Sequence, residues 1–297
     1  MSNTNLFKGV VFVGLGASSY GMLATFVKLA YTEQYTTAEV TVSQFIYGII
    51  GMLLINAYTK SKAKGLVEKA TSKNILQLLL AGTSMGLTSV FYYVSVRYIS
   101  VSIAIILLMQ SVWMGVLAEW ILTKKTPSIQ KLISVLIVLT GTILATNSLN
   151  QNTTIDWNGI GWGLMAAASF TTTLFTANRV AVGISSVQRS LYMLIGGAVI
   201  VFGFALLTQN TPFNFSIFLK WGIFLALFGT IIPPILMNAG FPITGIGLGS
   251  IISALELPVS VMMAYIILNE RIAVIKWIGI AWILFAIFLM NIHSKKV

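Results

Sequence analysis

The segment SALELPVSV (253–261) places Glu256 as the only charged residue between Lys220 and Glu270 in an otherwise apolar stretch. A carboxylate exposed to lipid costs from ~2.5 to above 10 kcal/mol, so such a group is expected to face a bundle interior or water. There it can pair with a cationic ligand or exchange a proton. The competing reading is a protonated Glu that only hydrogen-bonds neighbouring helices. Pro258, two positions on, lacks a backbone N–H and predicts an irregularity beside Glu256.

Other groups of comparable chemistry lie inside apolar runs. Gln44, Tyr92, Gln110, Trp113 and Asn238 can each hydrogen-bond into a cavity, and Phe170 can add aromatic wall. The same polar residue types also hold membrane helices together at ~0.6 kcal/mol each. Phe91, Tyr92 and Tyr93 lie a few residues inside the boundary marked by Arg97, which suits an aromatic wall or gate better than an interfacial belt. Glu119 is a turn or so from Lys124, and snorkelling or pairing with a basic neighbour accounts for it. Lys28 and Arg97 read as helix-end anchors. The segment GIGLG (245–249) follows no strand and has no adjacent Lys, so close helix packing explains it better than phosphate binding.

These residues need a scaffold, and the composition defines it. Of 297 residues, 57% are hydrophobic and only 8% charged, with mean hydropathy +0.91. Such a chain is an integral membrane protein. Apolar runs of about 20 residues, each enough to cross a ~30 Å hydrocarbon core, predict spans at 8–30, 38–58, 73–96, 99–122, 128–147, 158–179, 187–207, 217–237, 244–267 and 272–292. The first run is longer than a signal-peptide core and has no clear cleavage site, so it is expected to be a retained helix. Pro233 and Pro234 are expected to end or kink the eighth.

With the N-terminus inside, Lys8, Lys60, Lys62, Lys64, Lys69, Lys73, Lys124, Lys125, Lys131, Arg179, Arg189, Lys295 and Lys296 fall on the cytoplasmic side. Lys28, Arg97, Lys220, Arg271 and Lys276 fall outside. The positive-inside rule therefore predicts two cytoplasmic termini in the cytoplasmic (inner) membrane. This distribution reads the net charge of +11 as a topology signal, with no nucleic-acid partner.

A weak internal repeat runs at half the chain length. Gly9, Ala17, Ser19 and Tyr20 match Gly159, Ala167, Ser169 and Phe170 at an offset of 150, and Tyr47, Ile50 and Gly51 match Tyr192, Ile195 and Gly196 at 145. Ile105, Ile106, Ala118, Ile121 and Leu122 match Ile251, Ile252, Ala264, Ile267 and Leu268 at 146. Two halves of five spans each must enter the membrane from opposite sides, which predicts an inverted repeat with a site near the midplane.

The motif order resembles the EamA-type branch of the drug/metabolite transporter superfamily over nearly the whole chain. The resemblance is clearest in GLGASSYGMLATFVK and in GTIIPPILMNAGFPITGIGLGSIISALELPVSVMMAYIILNER. It implies two inverted five-helix repeats around a central cavity and the movement of small metabolites. In that family the ninth helix commonly carries a Glu with Pro close behind and a terminal Glu, here Glu256, Pro258 and Glu270. By the 146-residue offset Gln110 and Lys124 occupy the corresponding first-half positions, so the halves are not chemically equivalent.

The expectation is an all-α integral membrane protein with ten transmembrane helices, as two repeats over 1–150 and 151–297. Its expected function is secondary transport of a small metabolite (amino acid, amine or nucleobase-like), as an exporter, with proton coupling through Glu256. Glu256, Gln110, Trp113, Asn238, Tyr92, Gln44 and Phe170 would form the substrate or coupling site. No cofactor or metal is expected, and the expected partners are the substrate and membrane lipids. A monomer is expected, with a dimer as the alternative. An enzyme is disfavoured: the chain has no Cys, a single His at position 293 and a single Asp at position 156, and it carries neither HExxH nor a nucleotide-binding motif. The alternative function is a lipid scramblase or membrane assembly factor without a small-molecule site.

Overall fold

A computed structural model describes residues 3–62, 70–99, 101–146, 156–269 and 272–293. Lys64, Lys69, Glu270, Arg271, Lys295, Lys296 and the expected 150/151 boundary lie outside the described residues. Within them, regular structure is entirely helical and forms ten rods. These are α1 (Asn3–Thr32), α2 (Thr37–Lys62), α3 (Ser72–Val96), α4 (Val101–Leu108 and Ser111–Thr123), α5 (Ile129–Thr146), α6 (Trp157–Arg179), α7 (Ser186–Thr208), α8 (Phe218–Thr244), α9 (Ile246–Ser253 and Glu256–Ile267) and α10 (Val274–His293).

Eight rods, α1 to α5 and α7 to α9, are long and apolar enough to cross a membrane, and α10 has a shorter apolar segment, Val274–Met290. α6 is long enough at 23 residues but more polar. Its hydroxyls are absorbed internally: Thr171, Thr173 and Thr176 donate to the Ala167, Ser169 and Thr172 carbonyls, and the Thr173 and Ser84 hydroxyls lie 2.8 Å apart. A helix packed among α3, α4 and α8 needs less hydropathy than one facing lipid.

Helix starts are capped by local side chains. Thr71, Asp156 and Ser185 accept from the backbone N–H groups of Asn74, Asn158 and Gln188 at 3.2, 2.8 and 3.3 Å. α8 passes Pro233 and Pro234 and ends at Thr244, beyond the expected end at 237. A π-helical turn at Leu227–Ile231 precedes the prolines, with the Ile232 N–H donating to the Leu227 carbonyl. The Phe228 carbonyl would next need the N–H that Pro233 lacks, and it accepts from the Ser19 hydroxyl at 3.1 Å instead.

The packing has a two-part symmetry. Exchanging each rod for the one five places later maps contact α1–α8 onto α6–α3, α1–α9 onto α6–α4 and α2–α8 onto α7–α3, while α2–α7, α4–α9 and α5–α10 map onto themselves. Among the described residues the four non-glycine positions with positive φ also pair. Gln34 (65°) follows α1 as Ala181 (51°) follows α6, and Lys124 (54°) ends α4 as Asn269 (52°) follows α9. The breaks in α4 and α9 share this 145-residue offset: Gln110 and Leu255 precede the second segments with φ −60° and ψ −20° in both. The structural counterparts of Gln110 and Lys124 are therefore Leu255 and Asn269, one position before those given by the 146-residue alignment.

Close crossings run through small residues. A Cβ on Gly82 would fall 2.0 Å from the Met193 carbonyl oxygen, and one on Gly196 would fall 2.0 Å from that of Leu79, so α3 and α7 meet backbone to backbone. Outside the spans' interior, Lys220 donates to Glu33 at 2.8 Å. That hydrogen bond holds the Glu33 carboxyl below its ordinary value, so its small contribution is present at neutral pH and lost as pH falls through the folded-state value.

Candidate functional site

A central cavity of about 550 Å³ lies between the two halves and is bounded by α1, α2, α3, α4, α5, α6, α8, α9 and α10. It runs toward the bundle end where α1 and α3 finish and α10 begins, with Lys28, Val96, Leu268, Ile272 and Lys276 at that end. Its walls are aromatic, contributed by Tyr20, Tyr31, Phe45, Tyr92, Tyr93 and Phe170. Tyr92 and Tyr93 meet edge to face with ring centroids 5.9 Å apart, while Phe91 turns away to pack on Trp162 at 5.4 Å.

Among the described residues Glu256 is the carboxylate of this cavity. The break in α9 puts it there. Pro258 cannot donate to the Ala254 carbonyl, which accepts from the Leu257 N–H at 3.2 Å instead, and the chain makes two i→i−3 turns before the helix resumes at Glu256. α1 brings Tyr20 alongside because Gly21 lets the α9 backbone approach. A Cβ there would lie 2.4 Å from the Glu256 carbonyl oxygen. Tyr20 and Tyr92 line the same cavity as Glu256. No described residue donates a hydrogen bond to its carboxylate. The buried Thr25 hydroxyl, also in the cavity wall, has no partner among the described residues.

Gln44 reaches the wall from α2, next to Gly229 of α8, where a Cβ would lie 2.3 Å from the Gln44 amide nitrogen. The Thr230 hydroxyl fixes this crossing by donating to the Gln44 carbonyl at 3.0 Å. Among the described residues the cavity thus presents one carboxylate, a primary amide, several hydroxyls and, at its mouth, Lys28 and Lys276, in a mostly aromatic and aliphatic enclosure. Such a site suits a small amphipathic ligand.

The family model of the EamA-like transporter family matches residues 7–147 and again residues 157–292. This chain belongs to the EamA-like transporter family. It is accordingly a multi-pass membrane transporter, in a family of transporters and not of enzymes. A solved crystal structure of a protein matches with a TM-score of 0.75 over 93% of this chain and 97% of the other. At 13% identity that likeness shows the fold alone. No curated protein matches the sequence.

Within this EamA-like transporter, Glu256, Gln44, Tyr92 and Phe170 share the cavity. Three other expected site residues do not line it. Gln110 and Trp113 fall outside because α4 turns Ile105, Leu108 and Met109 inward. The Trp113 indole N–H donates to the Gln110 side-chain oxygen at 2.9 Å, and the Gln110 amide donates to the Ile106 carbonyl at 3.0 Å. Asn238 is buried below the cavity floor beside a small separate hollow, its amide donating to the Ser190 hydroxyl at 2.9 Å. Trp113→Ala should therefore change ligand affinity by less than about twofold. Binding measured at equal protein concentration checks this, and a loss well beyond that range would return Trp113 to the site.

Glu119 pairs with Lys131, and the two sit against Gly247 at the end opposite the cavity mouth. Two buried charges escaped the sequence reading. Glu39 is 3% exposed and accepts from the backbone N–H groups of Thr36 and Asn214 at 2.8 and 2.7 Å and from the Gln209 amide at 3.2 Å, tying α2 to the 209–216 segment. Its signal was available, since Thr36 followed three residues later by Glu39 is a capping box. Arg189, expected on the cytoplasmic side at the start of the 187–207 span, is 1% exposed inside the bundle.

Proposed function

We propose that this protein is a secondary transporter that moves a small metabolite (amino acid, amine or nucleobase-like) out across the cytoplasmic membrane by alternating access. The ten rods act as ten transmembrane helices in two inverted halves, 1–150 and 151–297, with both termini cytoplasmic. The observation that carries this reading is the Glu256 carboxylate, without a hydrogen-bond donor among the described residues, in an aromatic cavity of about 550 Å³. An ionised carboxylate there binds a cationic group of the substrate, and a protonated one lets the empty carrier reorient, which couples transport to protons. The paired packing of the two halves supports the repeat, and five spans per half make it inverted. The closed end is then the cytoplasmic one.

Purified protein in proteoliposomes tests the proposal. Counterflow with amines, amino acids and nucleobases, run at several values of pH, should find a solute that exchanges saturably and stabilises the protein thermally. Phospholipid scrambling with no solute exchange across the panel would overturn it in favour of a scramblase.

A further inference from the structure

α8 contains Pro233, Pro234 and Pro242, each of which removes the N–H that a carbonyl one turn earlier would use. Asn238 lies four residues before Pro242, and its carbonyl accepts from Arg189 Nη1 at 2.7 Å. The remaining Arg189 donors go to the end of α6 and just beyond it: Nη2 to the Thr176 and Ala177 carbonyls at 3.1 and 2.6 Å, and Nε to the Val180 carbonyl at 2.9 Å. The Arg189 guanidinium thus joins α6, α7 and α8 at the closed end, beside two neutral bonds: the Asn178 amide donates to the Phe241 carbonyl at 2.6 Å and the Asn238 amide to the Ser190 hydroxyl at 2.9 Å. Among the described residues no carboxylate pairs with Arg189. Its partners are neutral carbonyls, which water can replace if this end opens.

The hollow under the cavity floor lies beside this junction. It holds about 20 Å³, shares Tyr20, Met85, Phe170 and Thr173 with the main cavity, and extends to Ala177 and Asn238, whose carbonyls Arg189 binds. The buried Asn238 Oδ1 has no partner among the described residues. The π-helical turn Leu227–Ile231 and the two following prolines lie immediately before the Ile232–Thr244 part of α8. A helix is least constrained at such a place.

We propose that Arg189 is the latch of a second gate. Release of the Asn238 carbonyl leaves Ile232–Thr244 held to α6 and α7 by the neutral Asn178–Phe241 and Asn238–Ser190 hydrogen bonds, and as these part the segment swings about the π-helical turn and opens the hollow to the face opposite the cavity mouth. This rests on the alternating-access reading above, but its test needs no substrate, so absence of flux would count against that reading alone. The chain has no native Cys, so Ala177→Cys supplies a single reporter, 3% exposed at its native residue. A membrane-impermeant maleimide should label it slowly from either face. Adding Arg189→Gln should raise labelling from the face opposite the mouth by about tenfold or more, the size of a lost charge-assisted hydrogen bond. Pro242→Ala restores an N–H that competes with Arg189 for the Asn238 carbonyl, and should raise labelling in the same direction by less without lowering thermal stability. If Arg189→Gln fails to reach the membrane, Pro242→Ala decides alone. Unchanged labelling in the variants that reach the membrane would reduce Arg189 to a static staple and overturn the latch.

Discussion

Glu256→Gln should lower substrate flux by roughly ten- to a hundredfold, the worth of a hydrogen bond or ion pair to a charged group, with membrane abundance within about twofold of wild type. The substitution keeps shape and most hydrogen-bonding capacity, so it removes charge and titration without opening a cavity. No described residue donates to the carboxylate, so little internal structure depends on the ionised form. For a cationic substrate the sign is fixed. The ionised carboxylate binds, so wild-type affinity should fall as pH falls through the titration of Glu256, and the Gln variant should show no such dependence. Wild-type flux with an unchanged pH profile in Glu256→Gln would leave only a structural role for this residue.

Gly82→Ala and Gly196→Ala should each destabilise the protein by about 3 kcal/mol or more, at the upper end of overpacking effects. The added methyl would meet backbone in both cases, at 2.0 Å from the carbonyl oxygens of Met193 and Leu79. No rotamer change relieves such a contact, so α3 and α7 would have to separate. Thermal unfolding in detergent and membrane abundance should both report the loss. Gly203→Ala on α7, where a Cβ would find nothing within 4 Å, is the matched control and should be nearly neutral. Equal melting temperatures for all three would show that the α3–α7 approach is not as close as described.

The sequence determined the membrane class and the helical rods, because lipid demands long apolar runs with internally satisfied backbones whatever the neighbours are. It also marked Glu256, since a lone carboxylate within a span is costly anywhere except an interior, and Pro258 signalled an irregularity there, but the matching break in α4 forms with Trp113 at the equivalent place, so the proline alone does not set it. Gln44, Tyr92 and Phe170 were legible as polar or aromatic groups at interior depth. Their depth was a property of the sequence, whereas the direction each side chain faces depends on how its helix rotates against its neighbours. Gln110 and Trp113 share the depth of the site but sit on the other face of α4, bonded to each other. Asn238 is turned toward Ser190 under the cavity floor. Arg189 looked like a topology charge at the cytoplasmic end of its span because its destination is a set of carbonyls at the end of α6 and in α8, one of them freed by a proline 53 residues further along the chain. Such partners have no local signature, so only the packed bundle could bring them together.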